Sequence, residues 1–178
     1  MSKMNIAQAL RRIKKLKGRM GELCARATAS VSYDLAKKPA FDFKATRGEI
    51  AAIREELVTL EASVARANAG AEIECDGRAM TVAEAIRRLQ ECKAEMAWLG
   101  QLTLRSGTER RTERDYDESS GRTVLVKHET EYAADLSEVD RAAEIETLRG
   151  RFERLNDAVE SANHRVAVDW REPEKASA

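Results

Sequence analysis

The clearest signal of the fold lies in TRGEIAAIREELVTLEASVARA, residues 46–67. Its large apolar residues recur every three or four positions, at Ile50, Ile53, Leu57, Leu60 and Val64. This spacing places them on one side of an α-helix, because the helix completes a turn every 3.6 residues. Charged residues fill the positions between them, so the apolar seam is narrow and predicts a partner helix. Thr46, followed three residues later by Glu49, predicts a capping box at the start of this helix.

Three other segments show the same helical period. Their apolar seams are Ile6, Leu10, Ile13, Leu16, Met20 and Leu23; Val82, Ile86, Leu89, Cys92, Met96 and Leu99; and Ile145, Leu148, Phe152, Leu155, Val159 and Ala162. We expect helices near 4–28, 46–69, 81–104 and 137–164, with Thr81 and Ser137 capping the third and fourth. The predicted fold is therefore mainly α, an antiparallel bundle or coiled coil of four long helices.

Two β-hairpins are predicted between these helices. Asp76-Gly77 is the strongest short signal for a hairpin turn and places a short hairpin near 72–80. The apolar, β-branched run 123–126 follows a natural turn at 118–121, which predicts a longer hairpin near 111–131. Residues 166–170 read as a short strand, and the aromatic connector 30–43 is expected to fold over the bundle.

Composition and charge limit the function. Charged residues make up 35 % of the chain and aromatic residues 4 %, which is typical of helical bundles. The formal net charge is zero, so a dedicated nucleic-acid protein is not favoured. Positive charge collects in residues 1–21 and negative charge in residues 129–160. This pattern predicts that the first and fourth helices lie side by side, within one chain or between chains. We expect one domain over 1–170 and a flexible tail over 171–178.

The sequence also suggests a compartment. The three cysteines, Cys24, Cys75 and Cys92, show no CxxC spacing, so we interpret them as reduced thiols. Neither a signal peptide nor an apolar run of membrane-spanning length is visible. These features predict a cytoplasmic protein without a membrane partner.

Catalytic, cofactor-binding and metal sites are not predicted. The glycines are scattered without a phosphate-binding loop, and His128 and His164 lie far apart in the chain. Six helical carboxylates remain as candidates for magnesium ligands: Glu49, Glu55, Glu56, Glu61, Glu91 and Glu95. Cations three or four residues away can neutralise such acids, so the pattern favours a protein that is not an enzyme. A carboxylate- and metal-dependent nucleotide hydrolase built on a helical bundle remains an alternative.

A local basic cluster supports a second alternative. The arginines around the longer hairpin are Arg110, Arg111, Arg114 and Arg122. Together with the basic N-terminal helix, they would contact nucleic acid if they formed one surface, since a basic β-ribbon can enter a DNA groove. Acidic residues alternate with these arginines and would repel phosphate. Nucleic acid is therefore the less favoured partner.

Several short stretches resemble a known family. They are residues 5–10, 64–68, 75–77, 81–85, 111–126 and 163–165, and Trp170. In these stretches the chain resembles the septicolysin-like family of small bacterial proteins, whose function is uncharacterised. The resemblance implies helices with intervening hairpins and a bacterial or phage-related origin, and it supplies no catalytic residues. The connector 30–43 departs from the family in being more aromatic.

Narrow seams and few aromatic side chains give a single copy a thin core, so we expect a homo-oligomer. The leading hypothesis is a non-enzymatic assembly or adaptor protein. The residues predicted to form its helix seams and oligomer interface are Ile50, Ile53, Leu57, Leu60, Val64, Leu148, Phe152, Leu155 and Val159.

Overall fold

The structure is a computed structural model that describes residues 4–119 and 121–172, apart from the side chain of Asp117. The fold is mainly helical, as predicted, with four helices and small antiparallel strand pairs. The helices are α1 (Ile6–Ser30), α2 (Phe43–Gly70), α3 (Val82–Gln101) and α4 (Glu138–Arg165). The strands are β1 (Met4–Asn5), β2 (Glu72–Cys75), β3 (Arg78–Thr81), β4 (Gly107–Asp117), β5 (Arg122–Tyr132) and β6 (Ala167–Val168).

The caps explain where the first two helices begin. Asn5 starts α1 with a capping box. Its side-chain Oδ1 accepts from the backbone N–H of Gln8 at 2.9 Å, and Gln8 Oε1 accepts from the backbone N–H of Asn5 at 2.9 Å. The predicted cap of α2 at Thr46 is wrong. Asp42 caps this helix by accepting from the Ala45 amide at 2.7 Å. Thr46 lies buried inside the first turns, and its hydroxyl donates to the Asp42 carbonyl at 2.7 Å.

The caps predicted for the other two helices are confirmed. The Glu84 amide donates to Thr81 Oγ1 at 3.1 Å at the start of α3. The Asp140 amide donates to Ser137 Oγ at 3.0 Å at the start of α4. Each hydroxyl satisfies an amide that has no partner within its helix.

The strands pair as three separate two-stranded antiparallel ribbons, β1 with β6, β2 with β3, and β4 with β5. The predicted Asp-Gly hairpin is confirmed: Cys75 pairs with Arg78, and both Asp76 (φ 52°) and Gly77 (φ 72°) are left-handed. Two left-handed residues make a type I′ turn, whose twist matches that of the strands. The long hairpin begins earlier than predicted, since Gly107 already pairs with Tyr132. Its predicted turn includes Ser120, which lies outside the described residues.

Contacts between Cα atoms group the chain into two compact units. The first unit comprises Met1–Gln90 and Glu153–Ala178, and the second comprises Glu91–Phe152. The boundaries fall inside α3 and α4. The prediction of a single domain over 1–170 stays a prediction, and so does the bundle or coiled-coil arrangement of the helices.

Two clusters of buried apolar side chains form the core of the first unit. One joins α1 and α2 with the segment around β6, and Leu60 at its centre has no exposed surface. The other joins the β2–β3 hairpin to the start of α3 and the end of α4. Arg154 on α4 extends this contact by binding the Asp76 carboxylate, with Nε 2.7 Å from Oδ1.

Charge pairing within the chain differs from one form of the prediction, and pairing between chains stays a prediction. The basic helix α1 forms ion pairs with α2, through Arg12 with Glu56 at 2.6 Å and Arg19 with Glu49 at 3.1 Å. Among the described residues, Arg12, Lys17 and Arg19 therefore bind acidic partners on the neighbouring helix and not in residues 129–160. The connector is also more open than predicted, because Leu35 is 92 % exposed.

Candidate functional site

The seam of α4 changes its burial part-way along the helix. In the first unit, Leu155 is 1 % exposed and Ala162 has no exposed surface. In the second unit, Ile145, Leu148 and Phe152 continue the same period but are only half-buried. Because the spacing is unchanged, the difference reflects what covers the helix and not which side of it the residues occupy.

The second unit contains little core of its own. Among its described residues only Cys92 and Leu99 are buried. Trp98 on α3 is 60 % exposed, although a large aromatic ring gains most from burial. The Lys93 ammonium lies over the Phe152 ring at 5.0 Å, so a flexible cation contacts that ring. This unit therefore presents apolar side chains that the described chain covers only in part.

The β4–β5 ribbon is the most exposed element of the second unit. All its described side chains are exposed except those of Val126 and Tyr132, which are half-buried. Leu125 is 69 % exposed and Tyr116 63 %. Within the described chain neither strand has a second neighbour, so each leaves one edge unpaired. A lone two-stranded ribbon of this kind is only marginally stable in water.

The arginines predicted to contact nucleic acid do not form one surface. Successive side chains of a strand point to opposite faces, so Arg110 and Arg114 lie on one face of the ribbon and Arg111 on the other. Arg122, paired in register with Asp117, shares the face of Arg111. Arg110 binds Glu129 on β5 at 2.8 Å, and Arg111 binds Glu113 at 3.0 Å. The positive charge is thus divided between two faces, and it is locally neutralised at Arg110 and Arg111.

The seam residues predicted on α2 lie in the interior of the first unit. Ile50, Ile53, Leu57, Leu60 and Val64 are all buried in the cluster that they share with α1. Leu155 and Val159 on α4 are buried in the second cluster, whereas Leu148 and Phe152 belong to the half-buried part of the seam. Of the predicted interface residues, these last two therefore remain accessible to a partner.

The polar contacts around Trp170 form a site that the sequence did not reveal. Trp170 is 2 % exposed, and its indole Nε1 donates to Thr59 Oγ1 at 3.2 Å. The Arg12 guanidinium lies 4.6 Å from the centre of the ring and also binds Glu56 and Glu172. Burial lowers the pKa of Arg12, but the two carboxylates outweigh it and raise the pKa above its ordinary value. Arg12 therefore joins α1, α2 and the C-terminal segment as a permanent cation.

The described carboxylates do not gather into a metal site. Across residues 4–119 and 121–172, no group of three or more His, Cys, Asp or Glu side chains could hold a metal ion. Glu56 is engaged by Arg12, and Glu84 accepts from Arg88 at 2.7 Å. The hydrogen bond from Arg88 lowers the pKa of Glu84, and the charges of Arg88 and Arg78 act in the same direction.

No described helix is both long enough and apolar enough to cross a membrane.

One solved structure shares this fold. It is the crystal structure of a functionally unknown conserved protein from Corynebacterium diphtheriae, with a TM-score of 0.71 and 17 % sequence identity. The match covers 94 % of this chain and all of the other chain. No family model and no curated protein matches the sequence. At this identity the likeness establishes the fold alone.

Proposed function

We propose that this protein is a non-enzymatic assembly module that acts as a homo-oligomer. The proposal rests on one observation: the seam of α4 remains half-buried from Ile145 to Phe152, in a unit with only two buried apolar side chains among those described. Burying apolar surface stabilises by about 25 cal/mol per Å², so covering this seam favours association.

A second copy of the chain is the proposed partner. Residues of both signs flank the half-buried seam, including Glu144, Glu146, Arg149 and Arg151. An identical helix packed against it would offer the same alternation, which supplies opposite charges beside an apolar contact. The bundle or coiled-coil arrangement predicted from the sequence is thus proposed for the assembled protein. We also propose a cytoplasmic location and membership of the septicolysin-like family, for which the stretches quoted above are the support.

The test adds one carboxylate to the seam and one beside it. Leu148→Asp places a charge where the proposed contact forms, and a carboxylate buried without a partner is strongly unfavourable. Thr147→Asp adds the same charge at the exposed neighbouring position of α4. Light scattering at micromolar concentration should show an oligomer for the wild type and Thr147→Asp and a smaller species for Leu148→Asp.

Two outcomes would contradict the proposal. One is a wild-type mass equal to the chain mass of 19.9 kDa across the whole concentration range. The other is a Leu148→Asp protein that keeps the wild-type mass, because the half-buried seam would then take no part in assembly. Circular dichroism on both variants verifies that the helices are intact.

A further inference from the structure

The unpaired edges of the β4–β5 ribbon offer a surface for pairing with another strand. An open edge presents a row of backbone donors and acceptors that an added strand can satisfy. Three or more strands with an apolar face are stable where two are not. If the added strand comes from an identical chain related by a two-fold axis, one residue lies opposite its own copy. The residues on either side then pair symmetrically, so the sequence of each edge decides whether it can pair with itself.

The edge of β4 cannot pair with itself without repulsion. From Glu109 to Asp115 every residue except Thr112 is charged, so an axis at any of those positions places a charge opposite its own copy. An axis at Thr112 places Arg111 opposite Glu113, a favourable pair that symmetry forms twice. The same axis places Arg110 opposite Arg114 and Glu109 opposite Asp115, so pairs of like charges outnumber pairs of opposite charges. Like charges directly opposite each other destabilise a strand pair. This edge is therefore protected against self-association.

The edge of β5 has one favourable register. With the axis at His128, Lys127 lies opposite Glu129 of the second copy, and symmetry forms this pair twice. Val126 then meets Thr130, and Val124 meets Tyr132, which is a favourable pairing of a β-branched with an aromatic side chain. Axes at Lys127 or Glu129 oppose like charges, and axes at Leu125 or Val126 bring no opposite charges together.

This register also brings three apolar side chains of each strand together on one face, while Leu125 lies on the other face, opposite Glu131. Val124, Val126 and Tyr132 share the face of His128, because alternate residues of a strand point the same way. Two copies joined at His128 would therefore gather six apolar side chains on one face of the enlarged sheet. In the single chain, Val124 is 38 % exposed and Val126 is half-buried.

We propose that β5 pairs antiparallel with β5 of a second copy about a two-fold axis at His128, forming a four-stranded sheet in the order β4-β5-β5-β4. This inference rests on the proposed homo-oligomer and names one of its contact surfaces. Charge complementarity selects the partner, since this edge matches its own copy and the edge of β4 does not.

Cysteine crosslinking tests the register directly. Directly opposite residues have Cα atoms about 4.5–5.5 Å apart, within the range that a disulfide spans. In the full chain, His128→Cys should therefore give a disulfide-linked dimer as its main product under mild oxidation at micromolar concentration. Thr130→Cys is the matched control, on the same strand and face. In the proposed register its two copies lie four residues apart, about 13 Å, and should link no more than the wild type does through Cys24.

A charge variant tests the same contact without a disulfide. Lys127→Glu, in the His128→Cys background, opposes two pairs of like charges and should lower the rate of crosslinking about fivefold. Arg114→Glu reverses an exposed cation on β4, which does not face the second copy, and should leave the rate unchanged.

The results separate this inference from the proposed function. An oligomeric wild type whose His128→Cys variant does not crosslink, or crosslinks no better than Thr130→Cys, refutes the β5 pairing and leaves the oligomer standing. Strongest crosslinking at Val126→Cys also refutes it, because the register would then differ. A monomeric wild type refutes both.

Discussion

Two leucines on the same seam of α4 should respond differently to the same truncation. Leu155 is 1 % exposed and packs in the cluster with the β2–β3 hairpin, whereas Leu148, two turns earlier, is half-buried. Truncating a fully buried leucine to alanine removes transfer free energy and leaves a cavity, at a cost of about 3–4 kcal/mol. Leu155→Ala should therefore lower the melting temperature by about 6–16 °C, at 2–4 °C per kcal/mol for a chain of this size.

For Leu148→Ala we expect about half that loss, roughly 1.5 kcal/mol, when the protein is dilute. At high concentration the loss should grow, since the proposed second copy covers this residue and association adds to stability by mass action. The assay is urea denaturation of both variants and the wild type at two protein concentrations a hundredfold apart. Equal losses for both variants at low concentration would refute this reasoning, because Leu148 would then be as buried within the chain as Leu155.

Three further predictions follow from single contacts. Gly77→Ala should destabilise by about 1–2 kcal/mol in thermal unfolding, because φ is +72°, whereas Gly18→Ala, inside α1 with open space around it, should stabilise by about 1 kcal/mol. Similar effects would mean that the Asp76-Gly77 turn is not left-handed. Glu84 should titrate below 4.5 in a carboxyl NMR experiment, and Arg88→Gln should move its pKa back up. Because the pKa of Glu84 is lowered in the folded protein, the stability that this pair adds at neutral pH is lost as the pH falls below 4.5 through the lowered value. A pKa of Glu84 that is the same in Arg88→Gln as in the wild type would contradict the assignment. The divided arginines of the β4–β5 ribbon should give no binding to DNA or RNA duplexes at physiological salt in a fluorescence anisotropy titration, and tight, salt-sensitive binding would promote the nucleic-acid alternative.

Local signals in the sequence predicted most of the helical fold. Thr81 and Ser137 were found as caps because the hydroxyl and the amide it satisfies are three residues apart in the chain. Thr46 fits the same pattern and was wrongly predicted as a cap, because Asp42 lies one turn earlier and its side chain caps α2. Asn5 and Gln8, which form the capping box of α1, are also three residues apart in the chain, but the apolar period of α1 does not by itself mark where the helix begins.

Contacts between distant residues could not be predicted in the same way. The β1–β6 pair joins Met4 to Val168 through only two residues per strand, too few for a period to be visible. The long hairpin extends back to Gly107 because β5 offers a partner there, although Gly107 and Glu109 have low strand propensity.

The α4 seam shows the same limit for the candidate site. The spacing of its apolar residues predicts which side chains lie on the seam. It carries no information about how far along the helix other parts of the chain bury that seam. Ile145 and Leu155 are equivalent in the pattern, yet only Leu155 is buried. The proposed function rests on this half-buried surface, which the sequence pattern does not distinguish from the buried part of the seam.

Sedimentation equilibrium of the unaltered full chain, from low to high micromolar concentration, tests the proposed assembly most directly. The half-buried seam of α4 and the open β5 edge predict an average mass above 19.9 kDa, which rises towards a multiple of the chain mass as the concentration increases and falls on dilution. A mass of 19.9 kDa at every concentration would contradict it.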